Sequence, residues 1–187
     1  MNGFFLLLFH HMKKSDAIEL LRPGLTAQGP IQVWADLGSG NGTFTKALAH
    51  LLNNGSIIYA VDTLIASLNE IPGLFNGCRI DKIEADFVKD ELPLANLDGI
   101  LMANSLHFVN DKPSLIAKIS GYMKHRHHLL IVEYDTDTAN RWVPFPLGFD
   151  ALKNLFLASQ YHMVEKLNEH PSVYANGNMY SAIISKN

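Results

Sequence analysis

Hydrophobic and polar positions follow two rhythms along this chain, and the changes between them mark the elements. Residues 31–37, "IQVWADL", form an apolar run of strand length. From Gly42 to Leu52 the period becomes helical, with Phe44, Leu48, Leu51 and Leu52 on one face. Asn53-Asn54-Gly55 stops that helix. "SIIYAVD" (56–62) predicts a second strand, 63–70 a short helix ending before Pro72-Gly73, and "CRIDKIEAD" (78–86) a third strand. "LDGILMAN" (97–104) is the fourth. Asp111 and Pro113 suit the start of a helix over 113–123. "HLLIVEY" (128–134) is the fifth strand, and a loop rich in proline and aromatics spans 136–147. A helix over 148–159 presents Leu152, Leu155 and Phe156 on its apolar face. Two last strands are predicted near 161–168 and 178–185, with "NGN" (176–178) at the turn. Ahead of all this, 16–22 predicts a helix stopped by Pro23-Gly24.

Five strands separated by helices need crossover connections, hence a parallel sheet with helices on both faces. The last two strands lie too close in sequence for a crossover and pair as an antiparallel hairpin. The expected fold is therefore α/β, with a seven-stranded, mostly parallel mixed sheet in one domain over residues 1–187. Residues 1–25 form an N-terminal segment able to cover a substrate.

Composition narrows the function. With 48% hydrophobic and 18% charged residues and a formal net charge of −3, the chain has no electrostatic footprint for nucleic acid or an anionic membrane. The one basic run, Lys124-His125-Arg126-His127-His128, reads as a solvated loop. Cys78 is the only cysteine, which excludes an internal disulfide and fits a cytoplasmic protein. "FFLLLF" (4–9) is too short to span a bilayer and lacks the flanks of a signal peptide, so it is expected to pack on the domain. His10-His11 suggests a metal, but adjacent side chains on a helix do not face one site, so none is expected.

The chemistry gathers at strand ends. In a doubly wound sheet, ligands bind beyond the carboxyl ends of the strands. The first such loop is Gly38-Ser39-Gly40-Asn41-Gly42, opened by Asp36. A dinucleotide loop reads G-x-G-x-x-G, whereas here the third glycine comes one residue early and Thr43 stands in its place. A carboxylate at that strand end would repel a pyrophosphate by roughly 4 kcal/mol at ~4 Å and an effective dielectric of ~20. The same carboxylate would attract a cationic sulfur. Asp36 could instead cap the loop's own amides. Asp62 closes the second strand, twenty-two residues after Gly40, where it can accept hydrogen bonds from ribose hydroxyls. Asp86 and Phe87 close the third strand, placed for an adenine amine and ring. A turn-forming role is the alternative for both acids.

"VWADLGSGNG", "YAVD", "EADF" and "ILMANSLHFV" together resemble the successive motifs of the class I S-adenosylmethionine-dependent methyltransferases. The resemblance covers roughly 28–135 and implies a Rossmann-like, seven-stranded sheet with an antiparallel last strand. It also implies S-adenosylmethionine as cofactor. Asp36 and Gly38, Ser39, Gly40, Asn41 and Gly42 would surround the methionine part, Asp62 with Thr63 the ribose, and Asp86 with Phe87 the adenine. Asn104 would lie beside the transferring methyl. "NSLH" departs from the "NPPY" kind of motif, which argues against methylation of nucleobases or protein amides.

Methyl transfer needs a base only where the nucleophile must lose a proton. His107 and Tyr134 are the candidates, with packing as the alternative for His107. Glu133 and Asp135 flank Tyr134, and an ion pair with Arg141 is the structural alternative for that group. Trp142, Phe145 and His11 are candidates for the substrate pocket, although the aromatics could equally plug the sheet edge. The expected partner is a small molecule, with neither nucleic acid nor membrane, and a homodimer stays open. The competing functions are a nicotinamide-dependent oxidoreductase and a non-catalytic S-adenosylmethionine-binding protein.

Overall fold

The computed structural model describes residues 12–25, 30–172 and 177–186. The apolar stretch 4–9, His11 and most of the turn before the last strand lie outside the described residues.

The strands are β1 (Val33–Leu37), β2 (Ile57–Asp62), β3 (Leu74–Phe75), β4 (Cys78–Glu84), β5 (Leu97–Ala103), β6 (Met123–Tyr134), β7 (Met163–Pro171) and β8 (Asn178–Lys186). They form one sheet in the order β3-β4-β2-β1-β5-β6-β8-β7. Neighbours among β4, β2, β1, β5 and β6 run parallel, while β8 lies antiparallel between β6 and β7. From β1 the chain steps outward to β2 and β4, then returns to β5 on the other side. That reversal puts the switch point between β1 and β5, where a crevice opens at the carboxyl ends.

The helices are α1 (Lys14–Leu21), α2 (Thr43–Leu51), α3 (Ile65–Asn69), α4 (Lys112–Ser120) and α5 (Phe149–Ala158). Alternation along the central strands serves both faces. Trp34, Leu101 and Leu130 pack with Leu20, Leu21 and Leu48 of α1 and α2. Ala35, Leu37, Ile100 and Ile131 pack with Ile116, Leu152 and Phe156 of α4 and α5. Asp111 caps α4, its Oδ1 accepting from the Ser114 N–H at 3.1 Å. No helix among the described residues is long and apolar enough to cross a membrane.

Two expectations change. The sheet has eight strands rather than seven, because β3 folds back on β4 through Asn76-Gly77, both at positive φ. An Asn-Gly pair is the sequence signal for that tight hairpin. The basic run is not a loop but the first half of β6. Lys124, His125 and Arg126 are exposed across an irregularity in the pairing with β5, while His127 turns inward. The buried ring has Nδ1 2.6 Å from the Lys124 carbonyl and Nε2 3.2 Å from the Tyr161 hydroxyl. Pairing with the long β8, which reaches Lys186 opposite His127, extends the strand past the point where its apolar pattern begins.

In the central sheet Gly99 lies against the fully buried Trp34 indole, which occupies the space a side chain at 99 would need. Gly99→Ala should cost about 1–3 kcal/mol through overpacking, read as a lower urea midpoint. Asp111→Ala should cost about 1 kcal/mol through the lost cap, measured in the same way.

Candidate functional site

The β1–α2 loop occupies the switch point, and its glycines serve different ends. A Cβ on Gly38 would fall 2.5 Å from the Cβ of Ser105, so the loop after β1 and the loop after β5 touch backbone to side chain. Ser105 strengthens that contact by donating its hydroxyl to the Leu37 carbonyl at 2.6 Å. Gly42 packs on Ile71 and stands at the N-cap of α2. Gly40 has φ +52, and a Cβ there would meet nothing within 4 Å. Its backbone thus faces open space in a conformation L side chains rarely adopt. The Gly40 N–H donates to Asp62 Oδ2 at 2.8 Å, and the Leu64 N–H to Asp62 Oδ1 at 2.9 Å.

Two cavities of about 470 Å³ each open on this loop. The first is lined by Gly38, Asp62, Thr63, Asp86, Phe87, Val88, Lys89, Asn104, Ser105 and Phe108. The second takes Gly38, Ser39, Gly40, Asn41, Thr43 and Phe44 from the loop and α2. To these it adds Ala103, Asn104 and Tyr134, Met12, Lys13 and Asp16 around the start of α1, and His170, Pro171 and Met179 from β7 and β8. Gly38 and Asn104 belong to both. Asp86 is held as a turn former and lines a cavity at once. Its carboxylate accepts from the Val88 and Lys89 amides and pairs with Lys89 Nζ at 2.8 Å. The Lys89 hydrogen bond holds this carboxyl below the usual carboxylate range against the opposing effect of burial.

Asp36 does not face the mouth as its position at the strand end suggested. It is 1% exposed, lies beneath the loop, and lines neither cavity. Its Oδ2 accepts from the Thr45 hydroxyl at 2.6 Å, across to α2. Burial pushes its carboxyl up to about 7; the Thr45 bond opposes this and the Asp62 charge adds to it. Three buried side-chain atoms lack a hydrogen-bond partner among the described residues: Asp36 Oδ1, Ser39 Oγ and Asn104 Oδ1. All three belong to the ends of β1 and β5. Buried polar atoms are normally paired, so these three stand out at the ends of the two strands that flank the switch point.

The catalytic and substrate candidates separate. His107 is 3% exposed and lines neither cavity. Its Nδ1 lies 2.6 Å from Glu133 Oε2, and its backbone N–H donates to Glu133 Oε1 at 3.1 Å. Glu133 therefore pairs with His107, not with Arg141. Lys112 adds a buried ammonium that bonds the Val109 and Phe145 carbonyls. Burial holds it below the usual lysine range, while the Glu133 charge works the other way. Tyr134 does line the second cavity, with its ring 5.8 Å from that of His107. Trp142 is 66% exposed with Arg141 over its ring, and Phe145 carries Lys112 over its face. Neither lines these cavities, and Gly42 is likewise spent on packing. Sequence reasoning named Met12 within the N-terminal cover but missed Phe108, Asp16, His170 and Met179. Phe108 sits inside a motif already singled out. Asp16 and His170 are 3.4 Å apart in space but come from opposite ends of the chain, and no local signal joins them.

A family model described as a methyltransferase domain matches residues 35–131, more than half of the chain. A search of curated proteins gives no significant match. Among solved structures, a Leishmania major S-adenosylmethionine-dependent methyltransferase aligns with a TM-score of 0.73 at 18% identity, over 92% of this chain and 72% of its own. The 1,6-didemethyltoxoflavin N1-methyltransferase of Burkholderia thailandensis, solved with 1,6-didemethyltoxoflavin and S-adenosylhomocysteine, aligns at 0.70 and 20% identity over 93% and 78%. An S-adenosylmethionine-dependent methyltransferase from Archaeoglobus fulgidus gives 0.69 and 15% over 93% and 95%. The glycine loop at the switch point, the cavities that meet there and the matched family model lead to one conclusion: the chain belongs to the methyltransferase-domain family and has the class I, S-adenosylmethionine-dependent methyltransferase fold.

Proposed function

We propose that the protein transfers a methyl group from S-adenosylmethionine to a small-molecule acceptor. The observation that carries this reading is the meeting of two cavities at Gly38 and Asn104, beside the three unpartnered buried atoms. The residues present fit the cofactor. Asp62 keeps unused lone pairs for ribose hydroxyls on a carboxylate already fixed by two amides. Thr63 stands beside it, and Asp86 with Phe87 offers an acceptor and a ring face to adenine. Ser39, Asn41 and the open backbone of Gly40 line the side that would take the amino-acid tail. When bound, the cofactor supplies a methyl group on a positively charged sulfur.

The chain's own part is positioning. Asn104, at φ +54 and shared by both cavities, is placed to orient the groups that must align. The second cavity is the acceptor's place, with Tyr134, Phe44 and Met179 giving an apolar wall, and Lys13, Asp16 and His170 a polar one. Met12 and Lys13 at its edge support the N-terminal segment as an acceptor cover. His107, buried against Glu133, holds the turn behind this wall, and Tyr134 is the catalytic candidate that lines the wall itself. A cavity of about 470 Å³ suits a small molecule.

The nicotinamide alternative loses support for a reason other than the one the sequence suggested. A diphosphate on this loop would compete with the Asp62 carboxylate for the Gly40 N–H and meet its negative charge. Calorimetry with S-adenosylmethionine, S-adenosylhomocysteine and NAD separates the two readings. Binding of NAD alone would overturn this one. Turnover in a screen of small-molecule acceptors distinguishes an enzyme from a binding protein.

Asp62→Ala should weaken S-adenosylhomocysteine binding by about 1.5–3 kcal/mol through lost charge-assisted hydrogen bonds, measured by titration calorimetry. Gly40→Val should abolish binding, because its side chain would project into the space left for the ligand. A retained circular dichroism spectrum would show that the fold survives.

A further inference from the structure

The basic run of β6 has no part in the methyl-transfer reading, and it lines a cavity of its own. That cavity, of about 310 Å³, is bounded by Arg126, His127 and His128 from β6 and by Ser185 and Lys186 from β8. It lies at the amino end of β6, whereas Tyr134 and the glycine loop lie at carboxyl ends of strands. From His127 to Tyr134 the strand runs about 20 Å. Pairing with β5 breaks at the basic run: between Leu97–Met123 and Gly99–His128, β5 advances two residues and β6 five. In an unbroken strand, successive side chains point to opposite faces, which would part His127 from Arg126 and His128. The irregularity lets all three reach one place.

The lining side chains are two cations, two imidazoles and a hydroxyl, with no carboxylate among the described residues there. Arg126 and Lys186 enter no ion pair among the described residues. Lys186 Nζ stands 5.7 Å from the centre of the Tyr161 ring. Asp98, on the adjoining strand, is already engaged: Oδ1 holds Lys124 Nζ at 2.6 Å, and Oδ2 accepts the Val33 amide at 2.8 Å. His127 forms a fixed wall. The Lys124 carbonyl can only accept, so Nδ1, 2.6 Å away, carries a proton, and Nε2 meets the Tyr161 hydroxyl at 3.2 Å. That hydroxyl is itself 2.9 Å from Ser120 Oγ on α4. Burial holds the His127 ring below the usual histidine range; the charges of Lys186 and His128 add to this, and the Lys124 bond opposes it. Positive charge is thus gathered around one cavity in a chain whose formal net charge is −3.

We infer that this cavity binds the phosphate group of a small phosphorylated molecule, at a site separate from that of methyl transfer. The Arg126 guanidinium is a planar fork that pairs with two phosphate oxygens at once, and Lys186 is a point charge. Ser185 adds a hydroxyl donor. Several cations facing one cavity match a dianion better than a single carboxylate. The volume lies at the lower end of the range for small-molecule sites.

The test is titration of the full chain with pyrophosphate and inorganic phosphate, followed by calorimetry and by backbone amide shifts in NMR spectra. Saturable binding is expected, with shifts at 124–128 and 185–186 and none at 38–42. Arg126→Gln and Lys186→Gln should each weaken pyrophosphate binding about tenfold, with circular dichroism confirming the fold. Lys82→Gln removes an exposed cation from β4, on the far side of β2, β1 and β5, and should leave the affinity unchanged. Phenyl phosphate separates two sources of the same chemistry. Tighter binding than inorganic phosphate supports an organic monoester, and weaker binding supports the free ion; the site stands in both cases. Equal weakening by Lys82→Gln, affinity for acetate as high as for phosphate, or shifts that never saturate overturns the proposal. So does binding of a single-stranded oligonucleotide at these residues when pyrophosphate does not bind.

Discussion

The contact between Gly38 and Ser105 is the constraint on which the site depends. It brings the ends of β1 and β5 closer than any side chain at position 38 would allow. The Ser105 hydroxyl then ties the two ends together through the Leu37 carbonyl. At the switch point of a doubly wound sheet, the helices that follow neighbouring strands diverge to opposite faces, and a crevice opens between them. Here the crevice divides into two cavities that share Gly38 and Asn104. The shared edge is short because the backbones meet there without bulk between them.

Charge around this edge is arranged in advance of any ligand. Asp62 is fixed by two amides and Asp86 by its own turn and Lys89. Neither has to be ordered when a ligand arrives, which lowers the entropic cost of binding. Behind the second cavity, Glu133 is 1% exposed and receives both the ring and the backbone N–H of His107. A buried carboxylate without such partners would be strongly destabilising. With them, it anchors the turn that carries Ser105 and Phe108. Lys112 extends the anchor to the loop at Phe145. The geometry thus assigns His107 a supporting place, and Tyr134 and His170 a place on the cavity wall.

Much of the fold was legible because its signals are local. The strands at 31–37, 56–62 and 97–104 announced themselves by composition, and the capped start of α4 by Asp111 and Pro113. The site was legible where a motif needs particular backbone, as at Gly38, Gly40 and Asp62. Other parts were not. The orientation of Asp36 depends on which neighbour supplies its hydrogen bond, and one of its oxygens accepts from Thr45 on α2. The run at 124–128 looked like a solvated loop because four of its five residues are indeed exposed. Its ends are paired, Met123 with Leu97 of β5 and His127 and His128 with Lys186 and Ser185 of β8, and that pairing makes it strand.

The sequence by itself determined the order of strands and helices, the glycine loop, and the acids that close β1, β2 and the segment after β4. These follow from periodicity and from backbone conformations that few residues adopt. The tertiary structure alone decided that Asp36 is buried while Asp62 is presented, and that Trp142 stands in solvent. It also brought Met12, Asp16, His170 and Met179 into one cavity wall. That wall rests on contacts between segments up to about 150 residues apart, as between Asp16 and His170. Such contacts are set by how β8 inserts between β6 and β7 and by how α1 docks on the sheet, and no local pattern encodes them.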